Sequence, residues 1–171
     1  MRGWLTRFWW AGLAGLIVLT GLTIWITHRG RQLPPPRARV YTAFDACLLT
    51  DGQGVSGQAA APVWAGMQAA STKTSGKVSF LSVYGPDTAA NAVSYVNTLV
   101  QRKCDLVLAV GGAEVAAAQG QARQFTSTHF VLVGSGSTQS NVTVVPGGSA
   151  AQVTSAVQQI VTKAAGRVSG R

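Results

Sequence analysis

Ala46-Cys47-Leu48-Leu49-Thr50-Asp51-Gly52-Gln53-Gly54-Val55-Ser56-Gly57 sets the fold reading for the chain. Its first half is a short apolar run of the kind a buried strand requires. Its second half is a glycine-rich loop that opens a helical segment, with Pro62 suited to a first helical turn and Val63, Trp64, Met67 and Ala70 at helical spacing. The same alternation continues outward. Val78 to Tyr84 reads as a second strand, closed by Gly85-Pro86, and Asp87 or Thr88 can cap a helix whose apolar positions run from Ala89 to Val100. Leu106 to Val110 is a third strand ending at Gly111-Gly112, followed by a helix over Ala113 to Ala122. His129 to Val133 is a fourth strand and Val142 to Val145 a short fifth. A last helix spans Ala150 to Ala165, with Gly166 as its stop and a basic tail over residues 167–171. Strands this apolar must be covered on both faces, and alternating strands and helices predict a parallel sheet in a three-layer α/β sandwich over residues 40–166.

The N-terminal part follows other rules. Phe8 to Thr27 is an uncharged run of twenty residues. At about 1.5 Å per residue it matches the roughly 30 Å hydrocarbon core of a bilayer, with tryptophans at both ends. A cleaved signal peptide has a shorter apolar region and a small-residue cut site. This run ends in Trp25-Ile26-Thr27-His28-Arg29 with no such site, so residues 1–31 are expected to be an uncleaved single-span anchor. Pro34-Pro35-Pro36 makes residues 32–39 a stiff extended spacer. The net charge of +9 is uneven: residues 1–44 hold six Arg and no acid, while the rest holds eight Lys or Arg against five acids. Charge concentrated around an apolar run argues for a membrane partner and against nucleic acid. Counting arginines on each side would keep the domain in the cytoplasm. The signal-like layout, a basic start followed by an apolar run, argues for a cell-membrane protein with its domain outside, and that is the expectation adopted.

Chemistry-bearing motifs are sparse. Gly52-x-Gly54-x-x-Gly57 matches a dinucleotide fingerprint in letters, but Asp51 would repel a pyrophosphate and Asp87 comes too late to end the second strand beside a ribose. No cofactor is expected. His28 and His129 lack companion ligands, so no metal is expected either. There is no nucleophile elbow and only one acid at a plausible pocket, which argues against an enzyme. Ligands of open α/β sheets bind at the carboxyl ends of the strands. The candidate ligand residues are therefore Asp51, Gly52, Ser56 and Gly57 after the first strand, Gly111 and Gly112 after the third, and Gly134 and Ser135 after the fourth. Cys47 and Cys104 are the only cysteines. An exported domain would favour a disulfide between them. Aligning the strand ends, however, sets Cys104 about three residues below Cys47, roughly 10 Å away, where bonding needs Cα atoms within about 7 Å. Two buried free thiols are the alternative.

Leu48-Leu49-Thr50-Asp51, the glycine loop with Val55, Trp64-x-Gly66, Asp105 to Gly111, His129 to Val133 and Asn141-Val142 together resemble the basic membrane protein family, the nucleoside-binding lipoproteins of bacterial ABC transporters. The resemblance covers residues 40–145. It implies one lobe of the type I periplasmic binding-protein fold, a flavodoxin-like arrangement with strand order beginning 2-1-3, lying outside the membrane. It also implies a small polar, nucleoside-like ligand and an ABC transporter or other membrane partner. The sequence departs from the family where directed contacts are made. Ser56-Gly57 stands where the family has Asn-Asp, Ala59-Ala60-Ala61 where it has Ser-Phe-Asn, and Gly134 where it has an Asp, so only Asp51 carries over from the site. Two functions follow: a membrane-tethered binding-protein-like domain in a transport-linked or sensory role, or a regulatory or protein–protein interaction module, self-association included, whose ligand site has decayed.

Overall fold

Five strands and four helices lie along residues 40–170, the part of the chain described by this computed structural model, alternating except where the fourth strand leads directly into the fifth. The strands are β1 (Asp45–Thr50), β2 (Lys77–Ser82), β3 (Leu106–Val110), β4 (His129–Gly134) and β5 (Val142–Pro146). The helices are α1 (Ala60–Thr74), α2 (Ala89–Gln101), α3 (Gly112–Ala122) and α4 (Ala150–Ser169). The sheet is wholly parallel in the order β2-β1-β3-β4-β5, with Leu48 opposite both Phe80 and Leu108. The expected anchor over residues 8–27 and the proline spacer lie outside the described residues. Among those described, no helix is long and apolar enough to cross a membrane.

The period of two along the strands builds both layers of the core. Ala46, Leu48, Leu106, Leu108 and Val131 face α1 and α4, meeting Val63, Met67, Val153, Val157 and Val161. Their neighbours Cys47, Leu49, Val107, Phe130 and Leu132 face α2 and α3, meeting Val96, Leu99, Val115 and Ala118. The central strands are apolar on every inner position because both of their sides are covered. β2, at the edge, alternates more loosely and leaves Phe80 44% exposed, its ring edge-on to Trp64 at 5.5 Å. α1 and α4 approach closely at Gly66, where a Cβ would stand 2.6 Å from the Thr154 carbonyl.

Local chemistry fixes the helix ends. The Thr88 hydroxyl accepts the Asn91 amide, and Ser149 with Gln152 forms a reciprocal capping box at the start of α4. α4 does not stop at Gly166 as expected but runs to Ser169. Glycine inside a helix costs only about 1 kcal/mol, and buried Ala165 and core-packed Val168 on either side hold the last turns in place. Arg167 thus sits in the last helical turn, where a cation suits the negative end of the helix dipole, rather than in a tail.

Cys47 and Cys104 are bonded, with Cα atoms 5.9 Å apart. The register behind the expected separation holds, since Cys47 lies opposite Val107, three residues beyond Cys104. Cys104 does not stand on the line of the strand. α2 ends in a Schellman motif: Lys103 takes the left-handed conformation (φ 60) and donates to the Val100 carbonyl, while the Cys104 amide donates to Leu99. That turn brings Cys104 in from the helix layer, over the sheet face onto which Cys47 points. Below it, the Asp105 amide donates to the Asp45 carbonyl (2.9 Å) and the strand begins.

Candidate functional site

In a sheet ordered this way the chain reverses its direction of travel at β1 and β3, and the crevice beside their carboxyl ends is where an open α/β sheet accepts ligands. Two cavities of about 280–290 Å³ open at this end. One, on the α2–α3 side, is lined by Asp51, Gly52, Tyr84, Asp87 and Glu114 among others. The second, on the α1–α4 side, is lined by Ala59, Pro62, Val110, Gly134 and Gly147 and is nearly devoid of polar side chains.

The β1 loop is closed on itself. Asp51 Oδ1 accepts the Gln53 amide (2.9 Å), the Gly54 amide donates to the Asp51 carbonyl (3.0 Å), and the Ser56 hydroxyl donates to the Gln53 carbonyl (2.8 Å). Gly54, at φ 65, lets the chain enter a short 3-10 turn over Gly54–Ser56, and α1 starts only at Ala60. A phosphate cradle needs these amides free and a helix N-terminus directly behind them. Here they are spent inside the loop, which argues against the dinucleotide reading more strongly than the letters did.

Asp87 is where the sequence did not place it. β2 ends at Ser82, but Gly85 (φ 101) turns the chain back. Asn91 Nδ2 pins the turn by donating to the carbonyls of Tyr84 (2.9 Å) and Pro86 (3.0 Å). The Tyr95 hydroxyl bridges the Tyr84 amide and carbonyl. Asp87 therefore reaches the cavity of Asp51 despite standing five residues beyond the strand.

Glu114 is the residue sequence reasoning missed. It lies in the first turn of α3, 1% exposed, and its Oε2 has no hydrogen-bond partner. The carboxylate folds back over Gly111, whose φ of 112 and missing Cβ make the room. Burial is the main cause that raises its pKa above the ordinary value. A hydrogen bond from its own backbone N–H opposes that, and the negative charges of Asp87 and Asp51 add to the rise. A Glu early in a helix reads from sequence as a partner of the helix dipole. The usable signal was positional: three of the chain's five acids fall one, five and four residues after the ends of β1, β2 and β3.

The fold also sorts charge by end. All seven Lys and Arg of residues 40–170 lie at the amino end of the sheet: Lys73, Arg102, Lys103, Arg123, Lys163 and Arg167 at or near helix C-termini, and Lys77 at the start of β2. Asp45 and Asp105 share that end, where burial raises the Asp45 pKa against the lowering pull of Lys77 and Arg102. A cavity of about 430 Å³ is there too, between His129, Asp105, Lys163 and Arg167, with His129 Nε2 2.8 Å from Thr143 Oγ1. The carboxyl end holds Asp51, Asp87 and Glu114 and no cation among the described residues.

Of the residues expected at the site, Asp51 and Gly52 line the acidic cavity and Gly134 the apolar one. Gly111 underlies Glu114. Ser56, Gly57, Gly112 and Ser135 line neither cavity, with the Ser56 hydroxyl consumed within its loop. Among the described residues no group of three His, Cys, Asp or Glu is close enough to hold a metal ion.

No family model matches the chain, and no curated protein matches it in sequence. Among solved structures it is similar to a fragment assigned as a lipoprotein from Peptoclostridium difficile 630 (16% identity, TM-score 0.49, 74% of this chain and 97% of that one). It is also similar to a transcriptional activator of the comK gene from Bacillus halodurans (16% identity, TM-score 0.48, 58% of this chain), of which it spans about a third.

Proposed function

We propose that this chain is a membrane-tethered, extracytoplasmic domain built like the first lobe of a basic membrane protein family binding protein, holding a small polar ligand at the carboxyl rim of its sheet in a transport-linked or sensory role. The observation that carries the reading is the polar cavity at the switch point between β1 and β3, with Asp51 on its wall. The Cys47–Cys104 bond supports an oxidising compartment, because disulfides rarely persist in a reducing cytosol. The uncharged run over residues 8–27 supports the tether.

Two measurements test this. Scanning fluorimetry of the full chain in detergent, against nucleosides, sugars and small charged metabolites, should show saturable stabilisation by at least one class. A flat response to all of them refutes ligand binding. Alkaline phosphatase fused after Arg171 should be active, and an inactive fusion places the domain on the cytoplasmic side and refutes export.

One observation favours a second reading, that of an interaction module. β2 is an edge strand with Phe80 exposed beside Trp64, a surface a second protein can cover. Under that reading Phe80→Ser abolishes an oligomer or complex seen by size exclusion while leaving ligand-induced stabilisation intact.

A further inference from the structure

The acidic cavity has a charge, an unsatisfied atom and a shape, and together they specify a ligand. Asp51, Asp87 and Glu114 face one space of about 290 Å³, and every described cation of the domain lies at the far end of the sheet. Among the described residues no side chain therefore supplies a counter-charge. Glu114 is 1% exposed and its Oε2 is unpartnered, and a buried acceptor of this kind is costly unless a donor arrives. Asp51 spends Oδ1 on the Gln53 amide and keeps Oδ2 for a ligand. Tyr84 stands at the mouth, 68% exposed, on backbone pinned by Asn91 and Tyr95, so its ring can cover a bound cation.

Within this proposed ligand site, we infer that the cavity takes a small organic cation bearing N–H donors, of the alkylammonium or guanidinium class. The buried Glu114 carboxylate accepts one N–H, and Asp51 and Asp87 hold the remaining charge. A lone metal ion fits less well, because no three carboxylates among the described residues converge on one point. Separated acids suit separated donors on one extended molecule. The volume is at the lower end for ligand pockets, which limits the occupant to a few carbons between its charged groups.

Glu114 adds a pH signature. Its pKa is raised in the free protein, and Asp51, Asp87 and Tyr84 are the titratable groups facing it. A cation favours the carboxylate, so binding strengthens as pH rises and Glu114 gives up its proton.

The test uses the full chain in detergent, with binding followed by calorimetry and scanning fluorimetry. The probes are 1,4-diaminobutane, agmatine, the neutral isostere 1,4-butanediol, Ca²⁺, Mg²⁺, guanosine and glucose. The diamine or agmatine should bind saturably and the diol should not. Asp51→Asn and Asp87→Asn should each weaken binding about tenfold or more, since each removes one charged hydrogen-bond acceptor. Asp51→Asn keeps an oxygen for the Gln53 amide, so its loop survives the change. Glu114→Gln should flatten the rise of affinity with pH. Equal binding of diol and diamine overturns the inference, as does binding of the metal ions without the organic cations, or wild-type affinity in both Asp variants. Stabilisation by guanosine or glucose alone overturns the cation class and leaves the ligand-binding reading standing. A response to none of the probes removes both.

Discussion

Reducing the Cys47–Cys104 bond is the most informative single perturbation of this domain. The bond closes a loop of 57 residues. In the chain-entropy treatment, cross-linking a loop of that length removes about 14 cal/mol/K from the unfolded ensemble, or about 4 kcal/mol at 25 °C. Thermal unfolding of a domain of about 130 residues carries about 2.1 cal/mol/K per residue, roughly 270 cal/mol/K in total. The bond should therefore raise Tm by about 15 °C. The reduced chain can keep the same packing once the two sulfurs part to van der Waals contact, because both cysteines are buried in the α2–α3 layer and thiols are tolerated there. For the same reason a reductant reaches the bond only after unfolding. The comparison is between protein refolded with and without a phosphine reductant, each melted by calorimetry. Alkylation of the denatured, unreduced chain should modify no cysteine. A Tm difference below about 5 °C, or two alkylated thiols in the unreduced sample, refutes the reasoning and removes one support for export.

Three further outcomes follow from the packing and the charges. Gly66→Ala should destabilise the domain by about 1–3 kcal/mol in denaturant titration, since its Cβ would strike the Thr154 carbonyl and the Val157 side chain where α1 meets α4. Lys103→Gly should stabilise by about 0.5–1 kcal/mol, because a non-glycine residue holds the left-handed position of the Schellman motif; a neutral or destabilising result would show that the Lys103 stem packs usefully. Glu114 has a folded-state pKa above its unfolded one, so between the two values the folded protein binds more protons. Its contribution is complete below the unfolded value near 4.5 and is lost as pH rises through the raised value. Glu114→Gln should therefore gain in Tm relative to wild type as pH goes from 4.5 to 8, and parallel pH curves would refute the assignment.

The strand and helix order was legible because it rests on local periodicity. Runs such as Leu106–Val110 and stripes such as Val153, Val157 and Val161 can bury their apolar atoms in only one kind of layer, whatever lies elsewhere in the chain. The helix after Gly52–Gly57, a cap at Asp87 or Thr88 and the parallel character of the sheet were readable for the same reason. So was Asp51, since the residue leaving a strand at its carboxyl end is placed on the rim by the strand itself. What only tertiary structure decided was every relation across sequence distance. Asp87 and Glu114 join Asp51 because a pinned turn at Gly85 and a fold-back over Gly111 bring their carboxylates into one space. Cys104 reaches Cys47 because a left-handed residue at the end of α2 lifts it off the strand line. Periodicity carries no information about either, because a backbone turn of one or two residues moves a side chain by many ångströms without changing the pattern around it.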